Sequence, residues 1–168
     1  MTKPKVSIVM GSDSDLEIMT EAAKALSEFG IPHELQILSA HRSPEQVTQF
    51  SKGLKKRGIQ VVIAGAGGAA HLADVIAAHT VVPVIGVPID SSALKGLDSL
   101  LSTVQMPSGI PVATVAIGKS GAANAGILAT QILSIRSKEL QTKLAKHKEK
   151  LSRSVVEKNN RLKKSFQK

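Results

Sequence analysis

The sequence contains no cysteine, no tryptophan and no tyrosine, and only three phenylalanines. Without cysteine there is no disulfide, no thiolate nucleophile and no cysteine-based zinc site, a composition that suits a reducing, cytoplasmic setting. Without Tyr and Trp the chain lacks the platforms on which single-strand nucleic-acid binders stack bases. Burial falls instead to Ala, Val, Ile and Leu, which favours closely packed helices and sheet. Long apolar runs are missing as well. The most apolar stretch, Val75 to Val87, is broken by His79 and Pro83 and is too short to span a bilayer. Met1 to Val6 has a charged start and no apolar h-region, so no secretory signal is read there.

Charge is abundant but local. The formal net charge is +9 over 168 residues, yet residues 1 to 135 hold ten Lys/Arg and ten Asp/Glu. Residues 136 to 168 hold twelve Lys/Arg and three Asp/Glu, which accounts for the whole excess. A basic run confined to one end is read as a solvated helix face rather than a nucleic-acid surface. Neither nucleic acid nor membrane is expected as a partner. The organisation expected is an α/β catalytic domain over 1–140 and a basic helical extension over 141–168. In that extension Leu140, Leu144, Leu151 and Val155 keep one apolar stripe, and the simplest cover for it is a neighbouring subunit.

Periodicity gives the architecture. Val6 to Met10, His33 to Leu38, Val61 to Ala64, Val84 to Val87 and Val112 to Ala116 read as short strands. Helical spacing fills the gaps: Asp15 to Phe29, Pro44 to Arg57 with a first-turn proline, and Ala69 to His79. A helical turn is expected near Leu97 to Val104, and a long helix starts near Ala122. Continuous rather than alternating apolar strands, each followed by a helix, predict a parallel sheet covered on both faces. The fold class is therefore α/β: a three-layer sandwich with a five-stranded parallel sheet, flavodoxin-like, ending in a long C-terminal helix.

In such sheets ligands bind beyond the carboxyl ends of the strands, and three segments there carry chemistry. Gly11-Ser12-Asp13-Ser14-Asp15 opens a helix, where free N–H groups and hydroxyls suit phosphate; plain helix capping is the alternative. Ser39-Ala40-His41-Arg42-Ser43-Pro44 sets an imidazole that moves protons near neutral pH beside a guanidinium that grips anions. Ala64-Gly65-Ala66-Gly67-Gly68-Ala69-Ala70-His71 lets backbone approach a flat ligand, with His71 facing His41 across the edge. The same glycines match G-x-G-x-x-A, so a small nicotinamide dinucleotide-binding module is the competing reading. Against it, the match lies in the third βα unit, Asp90 falls beyond Pro88, and no chain remains for a substrate domain. A fourth segment, Ser99 to Gly109, reads as a lid or an interface.

Together these segments resemble a known family. Gly11-Ser12-x-Ser14-Asp15, Ser39-Ala-His-Arg-x-Pro44, Ala64 to Leu72, Pro83 to Pro88, Ser99 to Pro107 and Gly118-Lys-x-Gly-Ala-Ala-Asn124 have the order and spacing of the 5-(carboxyamino)imidazole ribonucleotide mutases. These are the class I catalytic subunits of purine biosynthesis, and the resemblance covers roughly residues 5 to 140. It implies an isomerase, free of metal and cofactor, that moves a carboxylate from the exocyclic nitrogen to a ring carbon of aminoimidazole ribonucleotide. A relative that carboxylates the amine directly with carbon dioxide is the alternative. His41 is then the acid–base. Ser12, Asp15 and Arg42 bind substrate, Ser39 lines the site, and Ser14, Gly67, His71 and Leu72 border it. A cytoplasmic homo-octamer with sites at subunit interfaces is also implied. One departure is visible: where the family has Pro-Gly after the His-Leu pair, this chain has Ala73-Asp74. A changed local turn is expected there, with activity retained.

Overall fold

The computed structural model describes residues 3–90 and 93–166. Met1, Thr2, Gln167 and Lys168, at the ends of the segments read above, lie outside the described residues, as do Ser91 and Ser92. Residues up to Ile132 form one compact unit and those from Leu133 a second.

The first unit is built on β1 (Val6–Met10), β2 (His33–Ile37), β3 (Val61–Gly67), β4 (Val84–Ile89) and β5 (Ala113–Thr114). All pairings are parallel, in the order β2-β1-β3-β4-β5. The helices are α1 (Leu16–Glu28), α2 (Pro44–Arg57), α3 (Leu72–Ala78), α4 (Leu97–Val104) and α5 (Gly118–Ser134). A 3-10 turn, Asp13–Asp15, leads into α1. The chain runs outward from β1 to β2, then returns past β1 to β3. That reversal opens a crevice above the carboxyl ends of β1 and β3, where open α/β sheets hold ligands.

β1, β4 and most of β3 are buried along their length, as continuous apolar runs should be when helices cover both faces. β2 differs. It is an edge strand of sequence His-Glu-Leu-Gln-Ile, half exposed, and the run read as apolar is buried only at Leu38, just past its end. Its Glu34 accepts from Ser7 Oγ and Gln36 Nε2, each at 2.9 Å, and pairs with Arg57 of α2. Polar side chains on an edge discourage another strand from pairing there.

β3 runs three residues further than the apolar signal, to Gly67, because the glycines continue the ladder against β4: Gly65 pairs with Val87 and Gly67 with Ile89. Gly65 also meets α1 closely. A Cβ at that position would lie 2.3 Å from the buried Met19 sulfur, so only hydrogen fits.

The second unit holds α6 (Lys138–Phe166). The sequence places a long helix from near Ala122 and a helical extension over 141–168; the structure has α5 and then α6, which starts at Lys138. Ser137 explains the break: its hydroxyl accepts from the Leu140 N–H at 3.3 Å, an N-cap that starts a new helix. Gln141 Nε2 secures the joint by donating to the Ser134 carbonyl at 2.8 Å. Leu140 and Leu144 are partly covered, whereas Leu151 and Val155 are exposed. Among the described residues, no helix is long and apolar enough to cross a membrane.

Candidate active site

The crevice at the chain reversal is a cavity of about 370 Å3. Its walls are Gly11, Ser12, Ser14 and Asp15 after β1, Ser39 to Arg42 after β2, and Ala66, Gly67, Ala69, His71 and Leu72 at the end of β3 and beyond. Every residue read from the sequence as a site candidate is therefore at this one place. A larger cavity, about 810 Å3, opens near Lys52, Lys55 and His79, but it holds none of them.

The first wall is stiffened by capping. Ser12 caps the 3-10 turn, accepting from the Ser14 N–H at 3.4 Å, and Asp15 Oδ2 accepts from the Ser12 N–H at 3.1 Å. This reciprocal box is the capping alternative realised, with Asp15 buried beneath the loop. Burial raises the Asp15 pKa above the ordinary aspartate value. Hydrogen bonds from the Ser12 amide and the Ser14 hydroxyl oppose that, the Asp13 charge adds to it, and the Arg42 charge opposes it.

The second wall is a tight loop tied to its helix. Ser43 Oγ donates to the Ser39 carbonyl at 3.1 Å, and Pro44 occupies the first turn of α2. Ser39 Oγ accepts from the Arg42 amide at 3.2 Å and from Arg42 Nε at 3.3 Å. Arg42 Nη2 then donates to the Gly11 carbonyl at 2.9 Å. The guanidinium thus bridges the first and second walls, and Arg42 remains exposed.

The third wall brings the second imidazole. Gly68, at φ +62°, adopts a left-handed turn that only glycine takes without strain, and it swings the chain out of β3 towards His71. His41 Nε2 lies 2.9 Å from His71 Nδ1, with the rings edge to face at 82°. Since a neutral imidazole offers one donor and one acceptor nitrogen, a single proton sits between the two rings. His33 stays apart: its Nδ1 is 2.8 Å from the Ile31 carbonyl oxygen.

One contributor escaped the sequence reading. Ser102 of α4 accepts from the Ala70 N–H at 3.2 Å and lies 3.3 Å from the Gly68 carbonyl, which fastens the glycine turn. Nothing in sequence separates it from any helical serine. Asp74, marked in the sequence as part of the departure from the family pattern, stands in the first turn of α3, three residues after His71. The local turn around Ala73-Asp74 is a helix start, with His71 at the cap.

The dinucleotide reading needs glycines that turn a strand straight into a helix. Here Gly65 and Gly67 are strand residues and α3 begins only at Leu72. The glycines form a floor.

Fold and crevice define a parallel α/β protein with a small polar site at its chain reversal, furnished with two imidazoles and a guanidinium. The chain belongs to the AIR carboxylase family, whose model matches residues 5–154. That match runs past residue 140, where the resemblance read from motifs ended, so part of the basic helix is included. The N5-carboxyaminoimidazole ribonucleotide mutase of Pyrococcus horikoshii is 59% identical over 160 residues, 95% of this chain and 89% of that protein. The proteins of the same name from Thermotoga maritima and Bacillus subtilis are 55% and 51% identical. Each match covers 95% of this chain, with 92% and 99% of the respective relatives. Among solved structures, PurE of Treponema denticola superposes with a TM-score of 0.86 at 30% identity, covering 95% of this chain and 99% of that one.

Proposed function

We propose that this chain is an isomerase of purine biosynthesis that converts N5-carboxyaminoimidazole ribonucleotide by moving its carboxylate from the exocyclic nitrogen to a ring carbon. The observation that carries the reading is the His41–His71 hydrogen bond beside Arg42 and the Ser12 loop, in a chain 50–59% identical to proteins of that name. His41 is the acid–base. Ser12, Ser14, Asp15, Ser39 and Arg42 bind the substrate, with Gly67, His71 and Leu72 bordering it.

The chemistry needs little else. Loss of carbon dioxide from a carbamate removes a localised charge, which a poorly hydrated pocket favours. The departing nitrogen takes a proton, and the ring carbon later gives one up after attacking the carbon dioxide held beside it. One imidazole with a second to share its proton serves both steps. Confinement keeps the carbon dioxide at high effective concentration until it is captured. Arg42, already turned towards Gly11, suits an anionic group held against the Ser12 N-terminus.

The reading extends to a cytoplasmic homo-octamer whose sites lie at subunit interfaces. Exposure of His41 and His71 in a single chain supports that, because the closure required above then needs a neighbour. A second reading is direct carboxylation of aminoimidazole ribonucleotide by carbon dioxide, favoured by the family's own description. Incubation with N5-carboxyaminoimidazole ribonucleotide, set against aminoimidazole ribonucleotide plus bicarbonate, separates the two. Turnover of the first alone is expected. Turnover of the second alone overturns the proposal. With no Trp or Tyr, near-ultraviolet changes report almost entirely on the ligand.

A further inference from the structure

The turn that carries His71 has no polar side chain of its own to hold it. It consists of Gly67, Gly68, Ala69 and Ala70, with Gly68 at φ +62°. The His71 amide reaches back only two residues, donating to the Ala69 carbonyl at 2.9 Å, so His71 goes where Ala69 and Ala70 go. Ala70 is buried, and a buried amide needs an acceptor. The acceptor comes from another element: the Ala70 N–H donates to Ser102 Oγ of α4 at 3.2 Å.

α4 is in turn fixed to the sheet. Its buried residues are Ser99 and Thr103. Ser99 Oγ lies 2.9 Å from the Ile89 carbonyl at the end of β4. Thr103 seats its methyl group on Gly86 of β4, where an added Cβ would lie 2.4 Å from it. Ser102 is the hydroxyl of α4 that reaches the turn. Its one hydrogen goes to the nearest carbonyl, that of Asp98 one helical turn back at 2.8 Å, which leaves the oxygen free to accept from Ala70. The Gly68 carbonyl lies 3.3 Å away. Contacts therefore run from β4 through α4 and Ser102 to Ala70. One residue further is His71, whose Nδ1 meets His41 Nε2 at 2.9 Å.

We propose that Ser102 is a positioning residue for the carboxylate transfer: by holding the Ala70 amide it sets the place of His71 and so the alignment of the His41–His71 hydrogen bond. The proposal rests on the reading of that pair as the proton-transfer groups. Ser102 does not line the crevice and exchanges no proton with the substrate. Its hydroxyl acts through geometry alone, and a misplacement of about 1 Å at a reacting group costs on the order of a hundredfold in rate.

The test compares the full chain with Ser102→Ala, Ser102→Cys and Ser102→Thr. Cys is close to Ser in size and keeps the packing, but its sulfur is a weak acceptor. Thr keeps the hydroxyl, in the back-bonded form that Thr103 already makes to the Ser99 carbonyl at 2.7 Å. Ring nitrogen chemical shifts, read by NMR at about pH 8 where imidazoles are neutral, report which nitrogens His41 and His71 protonate without any substrate, with His33 as internal reference. In the Ala and Cys variants the fixed donor and acceptor pattern of the pair should give way to that of freely exchanging rings, while His33 is unmoved. With N5-carboxyaminoimidazole ribonucleotide, kcat should fall about tenfold to a hundredfold and KM should stay within about twofold. Ser102→Thr should restore most of both signals. Unmoved ring signals in Ser102→Cys, whatever its urea midpoint, overturn the proposal and leave the reading of the histidine pair untouched. Changed ring signals at parental turnover overturn that reading, and the role of Ser102 falls with it.

Discussion

Arg42 and Gly11 are joined across two loops: the guanidinium Nη2 donates to the Gly11 carbonyl at 2.9 Å, although the residues are 31 apart in sequence. The contact fixes the height of the cation above the Ser12 turn. It uses part of the fork and leaves the remaining donors for an anion.

Arg42→Ala should therefore weaken ribonucleotide binding by roughly 2 to 5 kcal/mol if the ion contact is desolvated in the complex. Arg42→Lys should recover only part, because an ammonium cannot hold Gly11 and a planar anion together. Calorimetric affinity for each variant checks both. Equal binding by Arg42→Ala and the parent would move the anion site elsewhere.

His41→Asn should fail differently. It keeps size and some hydrogen bonding but cannot carry a proton, so turnover should fall about a hundredfold to ten-thousandfold while ligand affinity holds. The upper end is expected, since both transfers use the same ring. Retention of more than about a tenth of parental turnover would pass the role to His71.

Asp15 predicts a slope in stability. Its folded pKa lies above the unfolded value, because burial is the largest influence on it. The folded state thus binds the proton more tightly, and the stability this contributes is full below the unfolded pKa and is lost as pH rises through the folded one. Asp15→Asn can still accept from the Ser12 amide but cannot ionise. Relative to the parent, its urea midpoint should rise as pH climbs through and above the ordinary aspartate range; a constant difference would contradict the assignment.

Truncation after Gln141 removes most of α6, whose Leu151 and Val155 are exposed in the single chain. Loss of oligomeric mass by sedimentation is expected, with the chemistry of each intact site largely kept. A shortened protein of full oligomeric mass and no turnover would refute this.

Much of the molecule was legible in the sequence, and the gaps have physical reasons. α2 begins and ends where the sequence places it because Pro44 and Gly58 mark both ends chemically. The start of α6 at Lys138 was not marked in the sequence, because Ser137 caps by a hydrogen bond that composition does not announce. β3 outran its apolar signal because glycines pair in a ladder without any side chain to display. At the crevice, His41, Arg42 and His71 stood out by residue type. The bridge from Arg42 to Gly11 and the brace from Ser102 depend on contacts 31 and more residues apart, which no local pattern encodes.

The close seating of Met19 on Gly65 has a bearing on how this sequence is free to drift. The Met19 sulfur occupies the volume a side chain at 65 would need, so position 65 cannot gain one while Met19 keeps its place. Gly65→Ala alone should lose stability, by about 1 to 3 kcal/mol for an overpacked core. Met19→Ala in the same chain should return part of it, since each change makes room for the other. The two sites behave as one heritable unit: the floor of the crevice can gain a methyl group only in a lineage where α1 has already given one up.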